Sequence, residues 1–193
     1  MRDAGTASMA YFDFDFRDVE KKHRRNLLSS LLIQLSSLSE PRLDILSLLY
    51  SPHKTRKEQP GEQALVQCLK DMLMVSSLAQ HPTYIILDAL DECPNTPGLP
   101  SPRGQVLGLV KDLVDLHLPN LHICITSRPE VDIRTALEPL ASCHPSLHDQ
   151  PGQKKDIAEY INSVVQTDIQ MQRWRDDDRK LVIETLSKKA NGM

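Results

Sequence analysis

Two short apolar runs separated by one amphipathic helix constrain this chain more than any other feature. Tyr84-Ile85-Ile86-Leu87 lies between Pro82 and a group of acids, and Leu121-His122-Ile123-Cys124-Ile125 follows Pro119-Asn120. Apolar runs of this length, bounded by turn residues, read as strands buried on both faces of a parallel sheet. Between them Val106, Leu107, Val110, Leu113 and Val114 recur at helical spacing. Ser101-Pro102 opens that helix as an N-cap followed by proline at the first helical position. The interval between the two strand ends fits one βαβ unit of about 30 residues or more. A right-handed crossover sets the two strands side by side or one apart, with both carboxyl ends on the same edge.

The flanking sequence supports the same architecture. Tyr11-Phe12-Asp13-Phe14-Asp15-Phe16 alternates strictly, which predicts a strand with its phenylalanines toward the core and its carboxylates on the other side. The period then becomes helical at Leu27, Leu28, Leu31, Leu32, Leu35 and Leu38, ending before Pro41. A short helix is expected over Leu43 to Tyr50 and an exposed loop over Ser51 to Gly61, then a helix through Ala64, Leu65, Cys68, Leu69, Met72 and Leu73. Cys93 to Pro102 carries four prolines and a glycine and reads as a loop. After Pro129 come a short helix over Val131 to Leu137, a short strand at Ser146-Leu147-His148, and helices over Lys154 to Val165 and Asp177 to Lys189. Asp176-Asp177-Asp178 suits the positive end of the last helix, and Asn191-Gly192 its C-cap. The order implies an α/β fold: a parallel sheet with helices on its faces, then the start of a helical subdomain.

Composition narrows the function classes. Net charge is -3 without a long basic tract, which argues against a nucleic-acid binder. Lys21 to Arg25 form a basic cluster, read as a solvated helix start. No stretch approaches the ~18 consecutive apolar residues of a membrane span, and Met1 to Gly5 has no apolar core of a signal peptide, so a soluble cytoplasmic protein is expected. Cys68, Cys93, Cys124 and Cys143 form no C-x-x-C pair and read as structural thiols. Cys143, His144 and His148 lack the second ligand pair of a zinc site. Trp174, between two arginines, reads as an anchor of the helical subdomain.

The chemistry concentrates at the two strand tips. The first delivers Asp88 at a carboxyl end, where open α/β sheets bind ligands, and Asp91-Glu92 come next on the turn. Phosphoryl transfer needs one carboxylate to hold Mg²⁺, usually through water, and another group to orient or deprotonate the attacking water. Asp88 suits the metal role and Glu92 the base role, with Asp91 assisting or holding the loop. The plainer alternative is that the acids end the strand and cap the next turn. The second tip carries Thr126-Ser127-Arg128-Pro129. It offers two hydroxyls and a planar guanidinium suited to a terminal phosphate, or else an arginine that merely neutralises Asp88 or Asp91. The two tips together favour a nucleotide site.

On these residues the chain resembles the NACHT family of signal-transduction NTPases, a STAND branch of the P-loop fold. It looks most like the fungal NLR-like, nephrocystin-3-like N-terminal type. Asp88-Ala89-Leu90-Asp91-Glu92 is similar to the family's Walker B segment and Thr126-Ser127-Arg128-Pro129 to its sensor 1. The resemblance implies a nucleotide-binding core over residues 11–150, a remnant of a preceding segment over 1–10, and the start of the lid or winged-helix side over 151–193. It implies Asp88 as the Mg²⁺ aspartate acting through water, Glu92 with Asp91 as the catalytic acids, and Thr126, Ser127 and Arg128 as phosphate contacts. Mg²⁺ and ATP or GTP are the ligands of the complete family domain. The family also requires G-x-x-x-x-G-K-[ST], whose backbone amides cradle phosphates, and the 193 residues contain no such segment. Gly5-Thr6 lacks a following Gly-Lys, and Gly152-Gln153-Lys154-Lys155 lacks a preceding strand. The expectation is therefore a partial NTPase module that binds no nucleotide tightly on its own. Other NACHT-type chains or missing regions of the parent protein are its implied partners, and oligomerisation is expected. A non-catalytic interaction module, truncated or degenerate, is the alternative.

Overall fold

A computed structural model describes residues 7–18, 21, 23–56, 59–78, 81–96, 100–145 and 151–189. The chain divides into two compact units, Met1–Ala141 and Ser142–Met193. The first holds β1 (Ser8–Asp13), α1 (Arg24–Ser36), α2 (Glu40–Arg56), α3 (Glu62–Leu78), β2 (Thr83–Asp88), a 3₁₀ turn (Leu90–Glu92), α4 (Pro102–Val114), β3 (Leu121–Ile125) and α5 (Val131–Leu137). The second holds α6 (Pro151–Thr167) and α7 (Asp176–Lys189), with Val165 buried and Trp174 partly exposed.

Among the described residues the sheet has three strands in the order β1-β2-β3, both pairs parallel. The rows Ser8–Thr83–Leu121, Ala10–Ile85–Ile123 and Phe12–Leu87–Ile125 lie on one face. Ala10, Phe12, Ile85 and Leu87 there are buried in one core with Leu27, Leu28, Leu31, Leu32 and Leu35 of α1, Leu65, Leu69 and Met72 of α3, and Val106, Leu109, Val110 and Leu113 of α4. The opposite rows, Met9–Tyr84–His122 and Tyr11–Ile86–Cys124, are partly or largely open to solvent. Tyr84 and His122 stack there with ring centroids 4.9 Å apart.

This corrects the expectation that β2 and β3 are buried on both faces. The reason is topological. Strands that succeed one another in sequence and in space, joined by right-handed crossovers, place every crossover helix on the same side. Strand β3 is also an edge strand, with His122 and Cys124 exposed.

The first strand is displaced from its expected position. It runs Ser8–Asp13, with Phe12 and Phe14 in the core and Phe16 61% exposed. Alternation identified the inward parity, but the chain leaves the sheet at Phe14, beyond which no β2 residue remains to pair. The outer edge of β1 is closed by a side chain: Gln34 accepts from the Tyr11 N–H at 3.1 Å and donates to the Tyr11 carbonyl at 2.7 Å. A single amide thereby substitutes for a neighbouring strand.

Helix α2 also departs from expectation, continuing through Arg56 where a loop was expected from Ser51. Pro41 sits in its first turn, where a proline lacks no needed donor. The side chain of Arg42, buried at the base of the sheet, donates to Ser8 Oγ at 2.9 Å and Thr83 Oγ1 at 3.3 Å. That interaction ties α2 to the first residues of β1 and β2. Burial lowers the Arg42 pKa.

Three members of the basic cluster have partners within the unit. Lys21 pairs with Asp13, Arg24 with Glu62 at 2.6 Å, and Arg25 with Gln59 at 2.9 Å. All four cysteines are free thiols. Burial pushes Cys68 and Cys93 up to about 11, as expected of inert structural thiols. Among the described residues no helix is long and apolar enough to cross a membrane, and no group of three His, Cys, Asp or Glu residues is placed to hold a metal. The strand expected at Ser146-Leu147-His148, the C-cap at Asn191-Gly192 and Gly5-Thr6 lie outside the described residues.

Leu31 is 1% exposed at the centre of the α1 face. Truncating it removes buried methyl groups and leaves a cavity. Leu31→Ala is expected to lower unfolding free energy by about 2–5 kcal/mol, measured by urea titration.

Candidate functional site

Parallel pairing brings the carboxyl ends of the strands to one edge of the sheet. Asp13 is the register partner of Asp88, and Leu87 pairs with Ile125, so β3 delivers Thr126 beside Asp88. The Thr126 hydroxyl donates to Asp88 Oδ1 and accepts the Ala89 N–H at 2.9 Å. The backbone continues the junction: Thr126 N–H bonds Leu87 O at 3.0 Å, and Leu90 N–H bonds Thr126 O at 2.9 Å. One Asp88 carboxylate oxygen is thus oriented by the neighbouring strand, and the side chain is exposed.

Directly after Asp88 the chain turns sharply. Ala89 has φ 53° and ψ 46°, in the left-handed region that disfavours any residue with a Cβ. The turn is held by the Ala89 N–H bond to Thr126 and by the Glu92 N–H bond to Ala89 O at 2.9 Å. Strained backbone of this kind persists where surrounding contacts over-determine it. It carries Leu90 into the core and brings Asp91 within hydrogen-bond reach of Arg128 and Glu92 within reach of Phe16.

Asp91, with its side chain 9% exposed, faces β3's tip. It accepts the Arg128 N–H at 3.0 Å, and the Arg128 Nε lies 3.4 Å from its other oxygen. The rest of Arg128 projects outward, its side chain 81% exposed. Glu92 Oε2 accepts the Phe16 N–H at 3.2 Å, joining the turn to the segment after β1. That segment contributes Asp15, which Arg17 holds down to about 2 through side-chain and backbone hydrogen bonds.

Beneath the turn lies Arg103, its side chain 5% exposed. It reaches the acidic turn, Glu130 and Asp132 together. Burial works to lower its pKa, but its bonds to Glu130 and Asp132 outweigh that and raise the net value. A cavity of about 320 Å³ opens here, lined by Phe16, Glu92, Arg103, Arg128 and Glu130 among others.

All the sequence-predicted site residues therefore come to one sheet edge. Asp88 and Thr126 are bonded to each other, Asp91 is bonded to Arg128, and Glu92 adjoins them on the turn. Ser127 lies exposed between Thr126 and Arg128. Arg103 was missed by sequence reasoning. It stands in the first turn of an amphipathic helix, where an arginine usually faces solvent, and its partners are 10 to 29 residues away. Gly152 to Lys155 lies within α6, in the second unit.

The donors and acceptors present define the chemistry open to this arrangement. Asp88 retains a second carboxylate oxygen beyond the one bound to Thr126, which fits a hydrated divalent cation held through water. The described residues around it include the carboxylates of Asp13, Asp91 and Glu92, which repel a triphosphate. Replacing Thr126 by valine keeps the shape but leaves the Ala89 N–H and Asp88 without their partner. Thr126→Val is expected to cost about 1 kcal/mol of stability in chemical denaturation.

The family model described as Nephrocystin 3, N-terminal, matches residues 1–128. The match spans all three strands and ends at Arg128. No curated protein and no solved structure matches the chain. With 128 of its 193 residues matched, the chain belongs to the nephrocystin 3, N-terminal family.

Proposed function

We propose that the first unit is the magnesium-side and sensor portion of a NACHT-type STAND NTPase. Its complete form would bind and hydrolyse ATP or GTP as an oligomerisation switch, and these 193 residues alone would not hydrolyse nucleotide. The observation that carries this reading is the convergence of Asp88, Asp91 and Glu92 on one strand tip with Thr126, Ser127 and Arg128 on the neighbouring tip. The family match is compatible with it.

In this reading Asp88 holds a hydrated Mg²⁺, and Thr126 sets the orientation of its carboxylate. Mg²⁺, when bound, supplies positive charge against the phosphate oxygens. Glu92 orients a water through the acceptor capacity left beside its bond to Phe16. Asp91 holds Arg128 on β3's tip until a terminal phosphate competes for the guanidinium.

Two features support weak binding by the chain alone. The sequence contains no G-x-x-x-x-G-K-[ST]. The strands also run in sequential order, whereas ligand crevices in α/β sheets form where strand order reverses. We expect Mg·ATP or Mg·GTP at millimolar concentration to shift the amide signals of Asp88, Asp91, Glu92, Ser127 and Arg128 without saturating in the micromolar range. Asp88→Asn should remove the shifts. Two-dimensional NMR titration checks this. Unmoved tip signals would reject the site, and micromolar saturation would reject the claim of weakness.

The open sheet face favours a second reading, an interaction module that binds NACHT-type chains or further regions of the same parent. Tyr11, Tyr84, His122 and Cys124 are exposed there, and β3's outer edge has no strand beside it among the described residues. Such surface favours association. Sedimentation velocity is expected to show concentration-dependent oligomers that Ile86→Lys reduces. A monomer at every concentration would count against it.

A further inference from the structure

The geometry points to Arg103 as a positioning residue that sets the spacing between the acidic turn and Arg128. This inference rests on reading the strand tips as a nucleotide site. It adds to that reading a residue that does not itself touch the proposed ligand.

Arg103 is the second residue of α4, and its backbone N–H bonds Pro94 O at 3.1 Å. Its guanidinium divides its donors between two segments. Nε donates to Cys93 O at 2.9 Å and Nη2 to Asp91 O at 2.6 Å, so two edges of the fork grip the acidic turn. Nη1 donates to Glu130 Oε2 and lies 3.3 Å from Asp132 Oδ2, both just past β3's tip. Arg128 is two residues from Glu130, and the Glu130 N–H bonds Arg128 O at 2.8 Å. Arg103 therefore holds the backbone of Asp91 on one side and the side-chain carboxylates of Glu130 and Asp132, just beyond Arg128, on the other. The Asp91 carboxylate and the Arg128 N–H meet between these two anchors at 3.0 Å.

The chemistry requires an arginine. A planar fork with several fixed donors can satisfy two carbonyls and a carboxylate at once, whereas an ammonium is a single point charge. Burial of the cation is offset only because Glu130 and Asp132 lie against it. An apolar residue would take a donor away from the Asp91 and Cys93 carbonyls. Without Arg103 the two loops would be joined across the cavity by the Asp91–Arg128 contact and the exposed Asn95–Asp132 bond at 3.1 Å, so their separation, and with it the width of the cavity, would be less closely fixed.

The test compares the unsubstituted 193-residue chain with Arg103→Lys, which keeps a buried cation, and with Glu130→Gln, which weakens one anchor. Amide hydrogen exchange is monitored in the free protein. In Arg103→Lys the Arg128 amide should exchange about tenfold faster, while the Thr126 amide, bonded to Leu87 O, changes less than about twofold. Glu130→Gln should show the same pattern to a smaller degree, and it supplies the test if Arg103→Lys does not fold. Equal Arg128 protection in the folded variants would overturn the inference. So would equal acceleration at Thr126, which would mark a general loss of stability. In parallel, Mg·ATP should shift Glu92 and Arg128 several-fold less in Arg103→Lys than in the unsubstituted chain, with the Asp88 shift retained. Absence of all shifts in the unsubstituted chain would reject the nucleotide site, while the exchange data would still judge the role of Arg103.

Discussion

The in-register parallel pairing of β2 with both of its neighbours is the constraint on which the site depends. Pairing Leu87 with Ile125 fixes Thr126 beside Asp88, and pairing Asp13 with Asp88 places β1's exit alongside. Side chains alternate with period two along a strand, so a slip of one residue would send Asp88 to the packed face. The aliphatic core prevents that slip, because Ala10, Ile85, Leu87 and Phe12 must all stay under α1, α3 and α4. Burial by the leucine-rich helices thus acts on function at a distance. It fixes register, and register fixes which polar groups meet at the sheet edge.

Charge at that edge is largely self-satisfied. Asp13 pairs with Lys21, Asp15 with Arg17, Asp91 with Arg128, and Arg103 with Glu130 and Asp132. An edge crowded with carboxylates would otherwise repel itself as well as any phosphate. Thr126, Arg103 and the left-handed Ala89 replace that repulsion with directed hydrogen bonds, so the acids sit in set positions rather than splaying into water. The strain at Ala89 and the burial of Arg103 both cost stability, and both are sustained by the contacts made on either side of the turn.

The two edges of the sheet are managed differently. Gln34 closes β1's outer edge with a pair of hydrogen bonds, whereas β3's outer edge carries Leu121, Ile123 and Ile125 without such a device among the described residues. The uncovered face and the unreversed strand order of the described residues have the same origin. Strands added in one direction put their crossovers on one side and create no reversal of order. Any element that covers this face or pairs with β3 would also approach the tips of β2 and β3.

The sequence alone determined that β2 and β3 are parallel strands joined by one helix, with Ser101 capping α4 and accepting from the Gly104 N–H at 3.1 Å. It also identified the acids and the arginine that meet, because residues at the carboxyl ends of neighbouring parallel strands must share an edge. These features arise from apolar run length, helical period and turn chemistry, which are local. Only the tertiary structure decided where pairing and covering stop. Strand β1 ends at Asp13, since β2 offers no partner beyond Asp88, and Phe16 is left in solvent despite its perfect alternation. Helix α2 runs past Ser51, and one face of β2, with Tyr84 and Ile86, is partly open to solvent although both belong to the apolar run that predicted burial. Arg103 was hidden for the same reason: whether an arginine is buried depends on which distant carbonyls and carboxylates surround it, and no local pattern encodes that.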